Sequence, residues 1–272
     1  MATLPNPLPR LATDPSGRSL GLQLPPGRLI QETDDGPWHE PLLWHAEKAA
    51  ASGVWKALGV PAARAGLLPV LVDVSAQGGP TGWELMPGDV SYPGDHDAEE
   101  VLAEYWGDQN DGDDENGNGN GNGETVEGAP WPGLAPAGVL TADPDVRAAQ
   151  LADSLAEKGP EWFKDPSLAL VPARRSADIP AAIGWSGPLN HDNDVARLCA
   201  VLRSWEDRFG IRVVALGFDV LVVSVAAPPT DRAAAEALAV EHSAFCPDNI
   251  TTTVAAYADE LVGEHSWTFW WD

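Results

Sequence analysis

The densest run of reactive side chains in this 272-residue chain is Glu241-His-Ser-Ala-Phe-Cys-Pro-Asp248. If residues 231–245 form a helix, Glu241 follows Leu238 by three positions and precedes Phe245 by four. A carboxylate then projects from an otherwise apolar stripe. His242 and Cys246 stand one turn apart, and Asp248 follows in the turn. Convergence of Glu241, His242 and Asp248 would allow acid–base chemistry, with burial raising the carboxyl pKa, and Cys246 as thiolate could join them around a divalent ion. A structural reading competes. A buried acid usually has a basic partner, and Arg203, Arg208 and Arg212 are available; Cys is often a small apolar filler, and Asp after Pro is an ordinary turn residue. One His, one Cys and loosely spaced carboxylates fall short of a recognised ligand set, so no metal or other cofactor is expected.

The second candidate is the carboxy-terminal run Trp267-Thr-Phe-Trp-Trp-Asp272, where most chains carry a polar tail. The aromatic density predicts a buried strand. Alternation places Trp267, Phe269 and Trp271 on one face and Thr268, Trp270 and Asp272 on the other, so both faces carry indole. One face is expected in the core; the other is covered by the amino-terminal half or lines a groove. Trp267, Trp270, Trp271 and Asp272, with Cys246, are therefore the candidate binding residues.

The elements that must position these groups follow from caps and periodicity. Asp143 followed by Pro144 opens a helix running to about residue 158. Val195, Leu198, Cys199, Leu202 and Phe209 mark one helical face that Gly210 stops. Residues 211–216 and 220–225 flank a three-residue turn and read as an antiparallel hairpin. Pro228, Pro229 and Thr230 precede a helix over 231–245, another starts at 249–251 and runs to about 262, and the Trp-rich strand closes an α-β-β-α-α-β unit. In the first half, 28–33, 41–45 and 67–74 read as strands, 47–58 as a helix, and 97–106 as a helix capped by Asp97 and stopped by Gly107. Residues 160–191 are Pro-rich and expected to be irregular.

The fold class is accordingly α+β, with a carboxy-terminal domain over 131–272 and an amino-terminal α/β region over 20–106. Residues 1–19 are expected to be disordered, and 107–130 form an acidic Gly/Asn-rich linker with little apolar surface to bury. Within it, Asn116, Asn118, Asn120, Gly121 and Glu127 imitate a calcium loop, but the first ligand should be Asp and no entering helix directly precedes it, so calcium binding is not expected. Gly184-Trp-Ser186-Gly187 lacks the spacing of a nucleophile elbow, and no phosphate-binding Gly-rich loop is present.

The composition excludes further classes. A net charge of -25, spread over both halves and the linker, repels phosphate backbones and anionic lipid. Nucleic acid and membrane partners are not expected. Two cysteines among 272 residues give no disulfide framework. The amino terminus is broken by Pro5, Pro7, Pro9 and Pro15 and has no export-signal core, so a cytoplasmic setting is expected.

Over residues 173–272 the separated motifs Trp205-Glu-Asp-Arg-Phe-Gly210, Pro228-Pro229, Glu241-His242, Phe245-Cys-Pro-Asp248 and Trp267-Thr-Phe-Trp-Trp-Asp272 occur in order. This region resembles the bacterial family known as domain of unknown function 4253. Pro25-Pro-Gly-Arg28 and Gly66-Leu-Leu-Pro-Val-Leu71 are similar to the amino-terminal part of longer members. The resemblance implies a domain and supplies no activity, cofactor or catalytic residue. The expectation is thus an acidic module that binds a protein or small molecule. The alternative is a small-molecule or hydrolytic enzyme built on Glu241, His242 and Asp248, with metal assistance.

Overall fold

The computed structural model describes residues 5–33, 36–74, 76–111 and 130–272, and in it both halves of the chain contribute to one mixed sheet. The first half supplies β1 (Gly27–Ile30), a separate ribbon of β2 (Glu32–Thr33) and β3 (Gly36–Pro37), then β4 (Leu43–Ala49) and β5 (Leu68–Val72). The second half supplies β6 (Ser167–Val171), β7 (Arg212–Leu216), β8 (Val220–Ser224) and β9 (Ser266–Trp270). The seven-stranded sheet has the order β1-β4-β6-β5-β7-β8-β9, and β5 and β7 are its parallel pair. The helices are α1 (Val54–Arg64), α2 (Ala98–Asp111), α3 (Pro144–Lys158), α4 (Ile179–Ile183), α5 (Val195–Phe209), α6 (Arg232–Phe245) and α7 (Val254–Leu261).

Strand alternation sorts the core into two layers. Val70, Val72, Ala169, Val171 and Val213 face the helices α2 and α4 to α7, whereas Leu71, Leu168, Val214 and Val222 face Trp55 and Leu58 of α1 and Ala148, Ala152 and Leu155 of α3. The class is α+β, and the unit running from α5 through β7, β8, α6 and α7 to β9 has the expected α-β-β-α-α-β order. Local signals set its boundaries. Asp143 accepts the amides of Asp145 and Val146, and Asp194 caps α5. Gly210 ends α5 with φ of 63°, a left-handed conformation that a side chain would strain, and its N–H bonds Glu206.

Several expectations are corrected by long-range pairing. Residues 47–49 are not helical: β4 runs through them because Ala49 pairs with Ser167, and α1 begins only at Val54. The Pro-rich stretch expected to be irregular contains β6, a central strand between Pro166 and Pro172. All five of its residues are buried because helices cover both faces, which removes the alternation that marks a half-exposed strand. Helix α2 continues past Gly107 to Asp111, and α7 starts at Val254, capped by Thr253, whose hydroxyl accepts the Ala256 amide, after a 3-10 turn at Pro247–Asn249. Within the stretch expected to be disordered, Leu8–Ala12 forms a short 3-10 helix and a second, Arg18–Leu20, begins. Leu8 and Leu11 of the first pack with Leu22, Trp44 and Leu170, so these leucines gain more from burial than the prolines cost. The calcium-like run and most of the linker, residues 112–129, lie outside the described residues.

Candidate functional site

Helix α6 places Glu241 wholly inside the protein, against α5 and the segment that precedes α3. Its Oε1 accepts the Ala135 N–H at 2.5 Å and Arg208 Nη1 at 2.8 Å. Its Oε2 accepts the Trp205 indole N–H at 2.7 Å and Arg208 Nη2 at 2.6 Å. Four donors on two oxygens leave no acceptor position for a substrate proton. Arg208 is fixed in turn by Ser204 Oγ at 3.0 Å and the Ala135 carbonyl at 2.9 Å. Of the three arginines weighed against Glu241, the fold selects Arg208. Arg203 pairs with Asp178, and Arg212 with Asp145. The Trp205 indole was the partner missed by sequence reasoning, although its i, i+3 spacing from Arg208 on α5 puts both on one face.

His242 points into a different environment. Its ring lies 4.6 Å from that of Trp267, 4.9 Å from Trp205 and 5.0 Å from Phe269, and Nδ1 meets Tyr257 Oη at 3.0 Å. Burial, with a smaller contribution from the Arg208 charge, pushes its pKa down to about 3. The imidazole is therefore neutral in the folded state at any physiological pH, while in the unfolded chain it titrates near 6.5. Below pH 6.5 the unfolded chain binds a proton that the folded protein refuses. Stability present at neutral pH is lost as pH falls from about 6.5 toward 3, at about 1.4 kcal/mol per unit. His45 and His191 are shifted the same way by burial, so a variant is needed to isolate the effect. His242→Phe is expected to reduce the pH 7 to pH 5 stability loss by about 2 kcal/mol in urea denaturation. An unchanged loss would refute the assignment.

The other candidates serve the sheet edge. Cys246 Sγ donates to the Trp270 carbonyl at 3.0 Å, and burial raises the thiol to about 12, so it is protonated rather than a thiolate ligand. Asp248 accepts the Asp272 amide at 3.2 Å. The Asn249 side chain donates to the Thr268 carbonyl at 2.5 Å and accepts the Trp270 amide at 3.0 Å, pairing with the outer edge of β9 as another strand would. Glu241, His242 and Asp248 thus bond different partners, Arg208 and Trp205 for the first, Tyr257 for the second and the Asp272 amide for the third. Among the described residues no group of three His, Cys, Asp or Glu is placed to hold a metal ion. The strand alternates as its sequence dictates: Trp267, Phe269 and Trp271 are buried, and Trp270 is exposed with its indole N–H on Asp219 at 3.2 Å. Of the aromatic binding candidates only Trp270 reaches the surface.

A depression of about 400 Å³ lined in part by Arg203, Ser204 and Arg208 lies beside the Glu241 network, and a second concavity lies elsewhere. A cleft of about 700 Å³ opens between α1 and α3, at the end of the sheet where β5 and β7 begin. Trp55, Val60 and Leu68 form one wall and Val146 and Ala149 the other, with Lys56, Arg174 and Arg212 among its polar lining. Its volume is that of a small-molecule site. Val60 and Val146 are 61% and 52% exposed, which is unusual for valines on helices that otherwise face a core. Sequence reasoning missed this site because its residues come from six separated segments, and the one local signal was an apolar side chain off the buried stripe of α1.

Residues 167–272 match the family model described as Domain of unknown function (DUF4253). The carboxy-terminal region is therefore similar to that family from β6 to the last residue, starting slightly earlier than the motifs suggested. No curated protein and no solved structure matches the chain. Among the described residues no helix is long and apolar enough to cross a membrane.

Proposed function

We propose that this chain is a binding module that holds a small molecule in the cleft between α1 and α3. The observation that carries the reading is the coincidence of ligand-sized volume with exposed valines and charged groups at one end of the sheet. The rival reading, an acid–base or hydrolytic enzyme centred on Glu241, His242 and Asp248, needs a free carboxylate and a titrating imidazole. Glu241 is saturated by four donors and His242 is held neutral, so the geometry supports structural roles for both. Two free, buried cysteines are consistent with a reducing cytoplasmic setting.

The test uses Gly59, which lines the cleft on α1 and has open space where a Cβ would stand. Gly59→Leu removes a flexible residue from a helix interior and is expected to leave stability unchanged or raise it by up to about 1 kcal/mol. It also places a side chain in the open space of the cleft and narrows it. The fluorescent probe anilinonaphthalene sulfonate is expected to bind the native protein and to lose that binding in Gly59→Leu. Equal probe binding by both proteins would overturn the cleft as the site.

A further inference from the structure

Taking that cleft as the binding site, we infer that its ligand is an organic anion, an apolar body that carries one negatively charged head group. Every carboxylate lining the cleft is already matched by a donor of this chain. Asp143 caps α3 through the amides of Asp145 and Val146 at 2.8 and 3.2 Å, and Asp153 accepts the Gly53 amide at 2.7 Å. Asp145 accepts Arg212 Nε at 2.7 Å, and Glu206 accepts the Ala177 amide at 3.1 Å while lying 3.6 Å from Arg212. The cations are not matched in the same way. Arg212 is neutralised by these two acids, but Lys56 and Arg174 line the same cleft with no hydrogen bond or ion pair to any described residue. The site's unmet bonding capacity is therefore cationic, although the chain has 41 acidic against 16 basic residues. An anion meets repulsion over most of this surface; in the cleft, where four carboxylates stand beside three cations, it finds in Lys56 and Arg174 two charged donors without a partner among the described residues. The half-exposed valines on facing helices supply the apolar contact that a bare inorganic anion would leave unused.

Competition for bound anilinonaphthalene sulfonate tests this with three probes that share one chain length: decanoate, decan-1-ol and decylammonium. In the native protein decanoate is expected to displace the reporter at about a tenfold lower concentration than decan-1-ol, and decylammonium at a higher one. In Lys56→Gln/Arg174→Gln the ratio of decan-1-ol to decanoate concentrations needed for displacement, in which any change in reporter affinity cancels, is expected to fall to within about twofold. Both residues are exposed, so the fold is not at risk. Arg10→Gln/Arg18→Gln changes the net charge equally on exposed residues outside the cleft lining and should retain the preference. Equal displacement by decanoate and decan-1-ol, a preference for decylammonium, or an undiminished preference in the Lys56/Arg174 variant would overturn the anion inference and leave the cleft standing. Reporter binding that survives Gly59→Leu would instead remove the cleft, and the anion with it.

Discussion

Glu241→Ala is expected to destabilise the protein by about 3–5 kcal/mol, because it leaves the Arg208 guanidinium, the Trp205 indole N–H and the Ala135 amide without their shared acceptor. Typical domains are stable by only about 5–15 kcal/mol, so this variant would sit near the edge of folding. The physics separates breaking a pair from replacing one. Two charges of opposite sign, both largely withdrawn from water, recover in mutual attraction roughly what their desolvation costs, whereas one charge left alone recovers nothing. Glu241→Leu combined with Arg208→Met should therefore be less destabilising than the sum of the two single changes. Equilibrium urea denaturation of the four proteins measures the coupling. A single-variant loss below about 1 kcal/mol would show that Glu241 is not a structural anchor. It would also reopen the case for a chemical role.

Phe269→Ala should cost about 3–5 kcal/mol, whereas Trp270→Ala, one residue later and larger, should cost less than about 1 kcal/mol. Phe269 is fully buried, with ring centroids 5.4 Å from Trp205 and 4.9 Å from Phe245, so truncation opens a cavity at the junction of α5, α6 and β9. Trp270 lies on the opposite face, 43% exposed, and its contacts include the single bond to Asp219 and the pairing of its backbone with Asn249. The backbone bond survives the substitution. Comparable midpoints in urea for the two variants would mean that the strand is not seated as described.

The family segment itself is not a continuous piece of the sheet. Residues 167–272 contain β6 to β9, but β5 lies between β6 and β7, donated from about a hundred residues earlier. Val70 of β5 is wholly buried and pairs with Ala169, and Leu71 pairs on its other side with Ala215. The segment that resembles a known family therefore relies on a strand that lies outside it for the centre of its own core. The candidate cleft has the same dependence, with α1 and β5 forming one wall and residues of the family segment, Arg174 and Arg212 among them, contributing charge.

Much of the carboxy-terminal unit is legible in one dimension because its signals are local. Asp143 and Asp194 cap the helices that follow them, Gly210 terminates α5, the turn after Leu216 reverses the chain, and period-two alternation puts Trp267, Phe269 and Trp271 on one face, although which face is core was decided by packing. Tertiary structure decided the rest, because it depends on residues distant in sequence. The burial of both faces of β6 erased its pattern, and pairing with β6 held residues 47–49 in a strand despite their helix-forming composition. The choice of Arg208 over two other arginines for Glu241 was settled by which guanidinium packing brought within 3 Å of both oxygens. The cleft between α1 and α3 has no sequence signature, since concavity belongs to the space between elements and no single element encodes it.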